Sequence, residues 1–170
     1  MGPANTPDRA DMTQIRAAVP TDIPSLLPLI RRYWEFEGIG GFEALRIEQL
    51  LSKLLGDSAA GAVWVAESQG ALVGYLVAVF VLSLEHRGWM AEIDEFFVLP
   101  ASRGGGTGSR LLATAEAALA RRGCVRLQLQ LGVANEAART FYRHRGYGAR
   151  AGYELIDKEL TGKERSACPP

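Results

Sequence analysis

Val98–Leu112 reads VLPASRGGGTGSRLL, with glycines at 104, 105, 106 and 108, and its reading decides how the rest of the chain is arranged. Such a run would melt most helices. Yet an apolar pattern of helical period begins directly behind it, and a strand-like run, 89–99, ends just in front of it. The stretch therefore reads as a loop from the end of a strand to the start of a helix at about 107–122. A helix start carries unpaired N–H groups and a partial positive charge, so it suits an anion, above all a phosphate. Glycines let backbone approach such a ligand closely, and Arg103 can add a charged clamp. Two better-known phosphate loops are excluded. Ser109-Arg110 follow Gly108 where Lys-Ser/Thr would be needed, and Ser109 takes the last glycine position of a G-x-G-x-x-G counted from Gly104. What remains is R-x-x-G-x-G, carried by Arg103, Gly106 and Gly108. On the loop alone, a flexible connector stays an open reading.

Outward from the loop, TQIRAA predicts an opening strand, and TDIPSLLPLIRRYWEFEG predicts a helix with Thr21 as its cap. A second helix is predicted over about 42–55, stopped by Gly56. Strand-like runs follow at 62–68, 71–84 and 89–99, broken by SQG and LEHRG. The helix after the loop stops at Gly123. CVRLQLQLGV then alternates, with Val125, Leu127, Leu129 and Leu131 on one face and Arg126, Gln128 and Gln130 on the other. A last helix is predicted over 135–145, and YGARAGYELIDKEL is expected to give one or two closing strands. The order β-α-α-β-β-β-α-β-α-β-β predicts an α/β fold: a mixed, mostly antiparallel sheet of about six or seven strands, with helices on both faces. We expect one domain over 13–160, a disordered tail at 1–12 and a second tail at 161–170.

Composition narrows the class. The chain has 170 residues, 48% hydrophobic and 22% charged, which is ordinary for a soluble globular protein. Nineteen basic residues balance nineteen acidic ones, so charge gives no reason to expect nucleic acid or an anionic membrane as partner. The apolar run Gly70–Leu84 is shorter than the roughly 18–20 residues a membrane helix requires, and its valines suit a central strand. Cys124 and Cys168 allow neither a disulfide framework nor a metal spacing, which points to a reducing cytoplasm and no metal. The first dozen residues have no apolar core of a secretory signal. Gly2 and Thr6 formally fit a myristoylation pattern, but with Pro3 between them a disordered tail is the expectation. A homodimer is left open.

EFFVLPASRGGGTGSRLL, followed by a strand and then NEAARTFYRHRGY, resembles the GNAT superfamily of acetyl-CoA-dependent N-acetyltransferases. In motif it is most similar to the diamine (spermidine/spermine-type) branch. The resemblance is strong over about 88–148, and the order of elements extends it over 13–160. It implies that the backbone of Gly104, Gly105, Gly106, Thr107, Gly108 and Ser109 binds the pyrophosphate of coenzyme A. It implies that Phe96, Phe97 and Val98 pair with the pantetheine arm like an added strand. Asn135 would contact the cofactor where two central strands splay apart to admit it, and Tyr142 would lie beside the thioester sulfur. Many relatives carry a bulky or branched residue inside the loop, where this sequence has Gly105.

Acetyl transfer to an amine poses three problems. An alkylamine of pKa about 10 must lose a proton before attack. The tetrahedral intermediate needs donors for its oxyanion. The departing thiolate benefits from a proton. Tyr142 suits the last role, since a phenol holds its proton at neutral pH. Asn135 and Tyr142 are seven residues apart, two helical turns and roughly 10 Å along one face; a helix cap and a core aromatic are the plain alternatives. For the base, AEIDEFF offers Glu92, Asp94 and Glu95. Glu92 and Asp94 share a strand face, and Glu95 points the other way unless a bulge intervenes. Aligned to the diamine branch, Asp94 takes the place of the catalytic glutamate, so Asp94 ranks first, Glu95 second and Glu92 third, with a water relaying for the shorter side chain. The alternative is carboxylates that only attract a cation or face solvent. The family implies backbone N–H groups near Phe96 and Phe97 as oxyanion donors. His86 and His144 read as solvated surface. Glu35 and Glu37, with Glu85 and the acids at 92–95, are the candidates to line a cationic acceptor site, a solvated face being the other reading. Tyr33, Trp34 and Phe36 would add cation–π contacts or belong to the core.

The expected function is acetyl transfer from acetyl-CoA to a primary amine of a small molecule or lysine side chain, directly within a ternary complex. The alternative is a non-catalytic acyl-CoA-binding regulatory module, against which Tyr142 and the acidic strand both argue. A third reading, an interaction protein with the loop as hinge, predicts no coenzyme A binding.

Overall fold

The glycine loop does join a strand to a helix in the computed structural model, which describes residues 13–158 and 160. The elements are β1 (Gln14–Ala17), a 3-10 turn (Pro20–Asp22), α1 (Ile23–Glu37), α2 (Ala44–Gly56), β2 (Gly61–Ser68), β3 (Ala71–Ser83) and β4 (Gly88–Val98). After a 3-10 turn (Pro100–Ser102) come α3 (Thr107–Arg121), β5 (Arg126–Leu129) and α4 (Glu136–Arg143). Two compact units divide the chain: Met1–Gln130, which holds the whole sheet with α1, α2 and α3, and Leu131–Pro170, which holds α4.

The sheet has the order β1-β2-β3-β4-β5. Neighbours from β1 to β4 pair antiparallel, and β5 pairs parallel to β4. A parallel pair needs a long crossover, and the loop with α3 is that crossover. The class is the expected one, α/β with a mostly antiparallel sheet, but the strand count is five rather than six or seven. The missing strands are those expected in YGARAGYELIDKEL. Among its described residues none is in a strand, and Tyr153, Leu155 and Ile156 are exposed. Alternation alone does not make a strand; a neighbour must take the hydrogen bonds and cover one face. The tails expected at 1–12 and 161–170, with Gly2, Thr6 and Cys168, lie outside the described residues.

Successive strand residues point to opposite faces, and here both faces are buried. Val63, Val65, Tyr75, Val77 and Phe97 pack with Ile23, Leu26, Leu29, Ile30 and Leu51 of α1 and α2. Their sequence neighbours Trp64, Ala66, Leu76 and Ala78 are buried on the other side, where α3 contributes Leu111, Leu112, Ala115 and Leu119. Double-sided cover explains why the Gly70–Leu84 run is apolar throughout. Each fully buried leucine, such as Leu26 or Leu111, contributes on the order of 2 kcal/mol.

The start of α1 differs from expectation. Thr21 does not cap it; it lies inside the 3-10 turn, and Asp22 organises the junction instead. The buried Asp22 carboxylate accepts from Val19 N–H at 2.8 Å and from both terminal nitrogens of Arg16 at 2.7 and 2.8 Å. Arg16 Nη2 also meets Glu67 Oε2 at 2.8 Å, so one guanidinium ties β1 to β2 and to the root of α1. Hydrogen bonds from Arg16, outweighing burial, hold the Asp22 carboxyl below the ordinary carboxylate range. A depressed carboxylate lends stability above its unfolded pKa and loses it as pH falls through the folded value. Asp22→Asn is therefore expected to cost about 2 kcal/mol at neutral pH, roughly 4–8 °C in Tm. As pH falls below the folded Asp22 value, the variant and the wild type should converge. Melting curves from pH 2 to 8 check this, and a constant difference across that range would contradict it.

Candidate active site

A break in the β3–β4 ladder organises the carboxylates. Val77 pairs with Glu95, but Ala78 pairs with Ile93, so Asp94 is an extra residue bulged out of β4. The bulge reverses the expected parity. Glu95, opposite Val77, and Glu92, opposite Val79, now share the face covered by α1 and α2, where an unbroken strand would have paired Glu92 with Asp94. Asp94 and Glu95 both lie near enough to act on the Tyr33 phenol, which burial, Glu37, Glu95 and Asp94 together push up to about 12.

Each carboxylate is held differently. Glu92 accepts from Gln128 Nε2 at 2.7 Å and Gln130 Nε2 at 3.0 Å, on the polar face of β5 and just beyond it. Glu95 accepts from Trp34 Nε1 at 2.7 Å on one oxygen and from the Tyr75 hydroxyl at 2.7 Å on the other. Burial pushes its carboxyl up, and the two donors pull it back. Asp94 keeps an exposed surface, but protein crowded about it raises its carboxyl, first through burial and then through the charge of Glu92. It is the one carboxylate of the three that combines solvent access with an enhanced proton affinity.

From α1, Tyr33, Phe36 and Glu37 come to this side at helical spacing. The rings of Tyr33 and Phe36 lie 6.1 and 6.3 Å from that of Phe97. Glu35 does not join them. It faces a separate groove of about 410 Å³ with Pro28, Arg31, Arg32 and Phe42. Glu85 is exposed in the turn between β3 and β4. His144 is exposed as expected, whereas His86 is half-buried.

Ten residues beyond the bulge, the glycine loop is exposed at 103–106 and enters α3 through Gly106, its N-cap. Gly104 and Gly106 have φ of +85° and +79°, the left-handed region, and nothing lies within 4 Å of where a Cβ would stand at either. The loop is thus bare backbone with open space in front, next to a helix N-terminus. That combination fits an anionic group such as a pyrophosphate. Thr107 is buried at the first turn, and Gly108 and Ser109 follow within the helix. Arg103 does something the sequence did not foretell: its Nε donates to the Val98 carbonyl at 2.8 Å, and its guanidinium lies over Phe36 and Phe97 at 5.2 and 5.5 Å.

β4 and β5 are the parallel pair of the sheet. Their register runs from Met90↔Arg126 to Ile93↔Leu129 and stops, while β4 continues through Phe96 and Phe97 to Val98. β5 ends at Leu129 and is the outer strand of the five, so within the described sheet β4 beyond Ile93 pairs only with β3.

In the second unit, Asn135 is the N-cap of α4, with its Oδ1 accepting from Ala138 N–H at 3.1 Å. Tyr142 is buried, its ring edge-on to those of Phe141 and Tyr147, each at 5.2 Å. Of the two donors to Glu95, Trp34 was expected only as a cation–π or core aromatic, and Tyr75 is the functional candidate the sequence reading missed. A signal was present: a tyrosine in the aliphatic strand GALVGYLVAVFVL requires a partner for its hydroxyl once buried.

The chain belongs to the Acetyltransferase (GNAT) family, whose profile matches residues 24–147. It is accordingly an acyltransferase, an enzyme that moves acetyl groups. It is 28% identical over 146 residues to the uncharacterized N-acetyltransferase YhfO of Bacillus subtilis, covering 82% of this chain and 92% of that one. Over 83 residues it is 35% identical to the aminoalkylphosphonate N-acetyltransferase of Salmonella typhimurium, covering 49% of this chain and 54% of that one. Among solved structures, an integron cassette protein from the Cole Harbour Salt Marsh metagenome superposes with a TM-score of 0.76 at 25% identity, covering 91% of this chain and 94% of that one. A soil-metagenome aminoglycoside acetyltransferase shares the fold, with a TM-score of 0.75 at 20% identity and coverage of 89% and 98%. Among the described residues, no helix is long and apolar enough to cross a membrane, and no group of three or more His, Cys, Asp or Glu is placed to hold a metal ion.

Proposed function

We propose that the protein transfers the acetyl group of acetyl-CoA directly to a primary alkylamine, of a small molecule or a lysine side chain, within a ternary complex. One observation carries this reading: β4 bears a bulged carboxylate and, ten residues beyond it in the chain, past the end of the strand at Val98, stands the open glycine loop that starts α3. Proton acceptor and anion-binding loop are then fixed to one rigid strand.

Acetyl-CoA supplies the thioester. Backbone N–H groups of Gly104 to Ser109 would hold its pyrophosphate, and the β4 edge at Phe96 to Val98 would run beside its pantetheine arm. Glu37, Glu92 and Glu95 draw the ammonium of the acceptor toward the bulge, with Tyr33 and Phe36 offering ring faces. Asp94, through a water, takes the proton; burial and the charge of Glu92 raise its carboxyl and so make it the stronger base. Tyr142 gives a proton to the departing sulfur, in line with the family resemblance. The acidic surroundings favour acceptors with several ammonium groups, as in the diamine branch. The Salmonella relative's name instead suggests an aminoalkyl acceptor carrying an anionic group, which the same acids would repel. The few cysteines agree with work in a reducing cytoplasm.

Free-thiol release from acetyl-CoA, measured across diamines, polyamines, aminoglycosides, aminoalkylphosphonates, amino acids and lysine peptides, tests the reading. Turnover with none of these amines would overturn it. Acetyl-CoA at one hundred times its Kd is also expected to stabilise the fold by about 2.7 kcal/mol. Gly106→Val should abolish that increment by filling the space a ligand needs. Valine at φ +79° is itself strained, by roughly 1–2 kcal/mol. The increment is therefore read against the variant's own unliganded Tm. An unchanged increment in the variant would remove the loop from the cofactor site.

A further inference from the structure

Glu95 is a carboxylate set into the apolar layer between β3, β4 and α1, with both oxygens taken by neutral donors from different elements. We propose that Trp34 and Tyr75 are positioning residues for the amine half of the reaction: through hydrogen bonds to the two oxygens they hold Glu95 as a fixed anion at the bulge, leaving Asp94 as the carboxylate that exchanges protons. This rests on the reading of Asp94 as base.

The two donors are not equivalent. An indole N–H can only donate, so Oε1 must remain an acceptor as long as Trp34 stays in place. A proton could enter only at Oε2, and only if the Tyr75 hydroxyl turned to accept it. Tyr75 is fully buried and its phenol is pushed far up by burial and by Glu95, so it stays a protonated donor across the working range. The titratable groups linked to Glu95, besides Tyr75, are Asp94 beside it and Tyr33 on α1, the former also acted on by Glu92 and the latter by Glu37, all acidic; the guanidinium of Arg103 lies over Phe97, two residues along. Burial and like charge thus press Glu95 toward its neutral form, and the indole and phenol oppose them. Geometry agrees. With Glu95 anchored opposite Val77 and Ile93 opposite Ala78, the extra residue at 94 has one place to go, which is out of the ladder.

The test is the pH profile of kcat/KM for the amine in Trp34→Phe and Tyr75→Phe, both of which keep an aromatic ring. Losing either donor is expected to move the acid limb upward by roughly one pH unit and to lower kcat/KM about tenfold on that side. Affinity for acetyl-CoA should hold. In a Glu95→Gln background neither substitution should lower the rate further, because both act through that carboxylate. An unmoved acid limb, or an equal loss added to Glu95→Gln, overturns the inference. Should Tyr75→Phe fail to fold, Trp34→Phe alone decides, since Trp34 lies at the margin of the core and its loss leaves the Tyr75 bond in place. Failure of the base reading is seen separately: Asp94→Asn would keep wild-type rates while the clamp variants still shift their profiles.

Discussion

Tyr142→Phe is expected to lower turnover by roughly 10²–10⁴-fold, with affinity for acetyl-CoA changing far less. The substitution removes one oxygen and keeps the ring that packs against Phe141 and Tyr147. A core aromatic would therefore lose little activity, and only the stability tied to any hydrogen bond of the hydroxyl. A proton donor to sulfur predicts more. The loss should shrink for a synthetic thioester whose thiol is more acidic and leaves without a proton. Rates with two such donors check the role as well as the residue. Equal losses with both would mean that Tyr142 orients the cofactor and protonates nothing.

Asp94→Asn is expected to cut turnover by at least about 10²-fold at pH 6, with the deficit shrinking toward pH 9 as the amine loses its proton unaided. The wild-type rate should fall as pH drops through the raised Asp94 value. Stability should move the other way. A carboxyl whose pKa is raised on folding favours the fold only below its unfolded pKa, and that contribution is lost as pH rises through the folded value. Replacing it by a neutral amide should thus leave Tm at neutral pH unchanged or higher, so lost activity cannot be ascribed to unfolding. Rate profiles and melting curves of the same preparation check both signs. Wild-type rates from pH 6 to 9 would transfer the role to Glu95 or to bulk water.

Much of this was legible in the sequence, for reasons that differ by element. The glycine loop and α3 were clear because loop chemistry and helical period change abruptly at Thr107. β2, β3 and β4 were clear because both sheet faces are buried and their runs are long. The position of Asp94 was not legible. AEIDEFF fits a regular or a bulged strand equally well, and the partners of Glu95 at the bulge, Trp34 and Tyr75, stand 60 and 19 residues before Asp94 in the chain. Arg103 looked like a phosphate clamp because composition cannot show that Phe36, Phe97 and the Val98 carbonyl compete for it. The closing strands failed for the opposite reason: their local pattern was good, but pairing belongs to the neighbour and not to the segment.

The ladder on either side of the bulge has a property that bears on how such a strand arises and persists. Remove Asp94 from the chain, and Glu95 falls next to Ile93 with Val77 and Ala78 already opposite them, every remaining side chain keeping its face. Most deletions inside a strand flip half its residues between core and water; this one would not. The sheet could shed the residue and become more regular, so folding alone gives no reason to retain it. Asp94 is, in that sense, a passenger of the architecture, and the base role proposed for it would be what keeps it aboard.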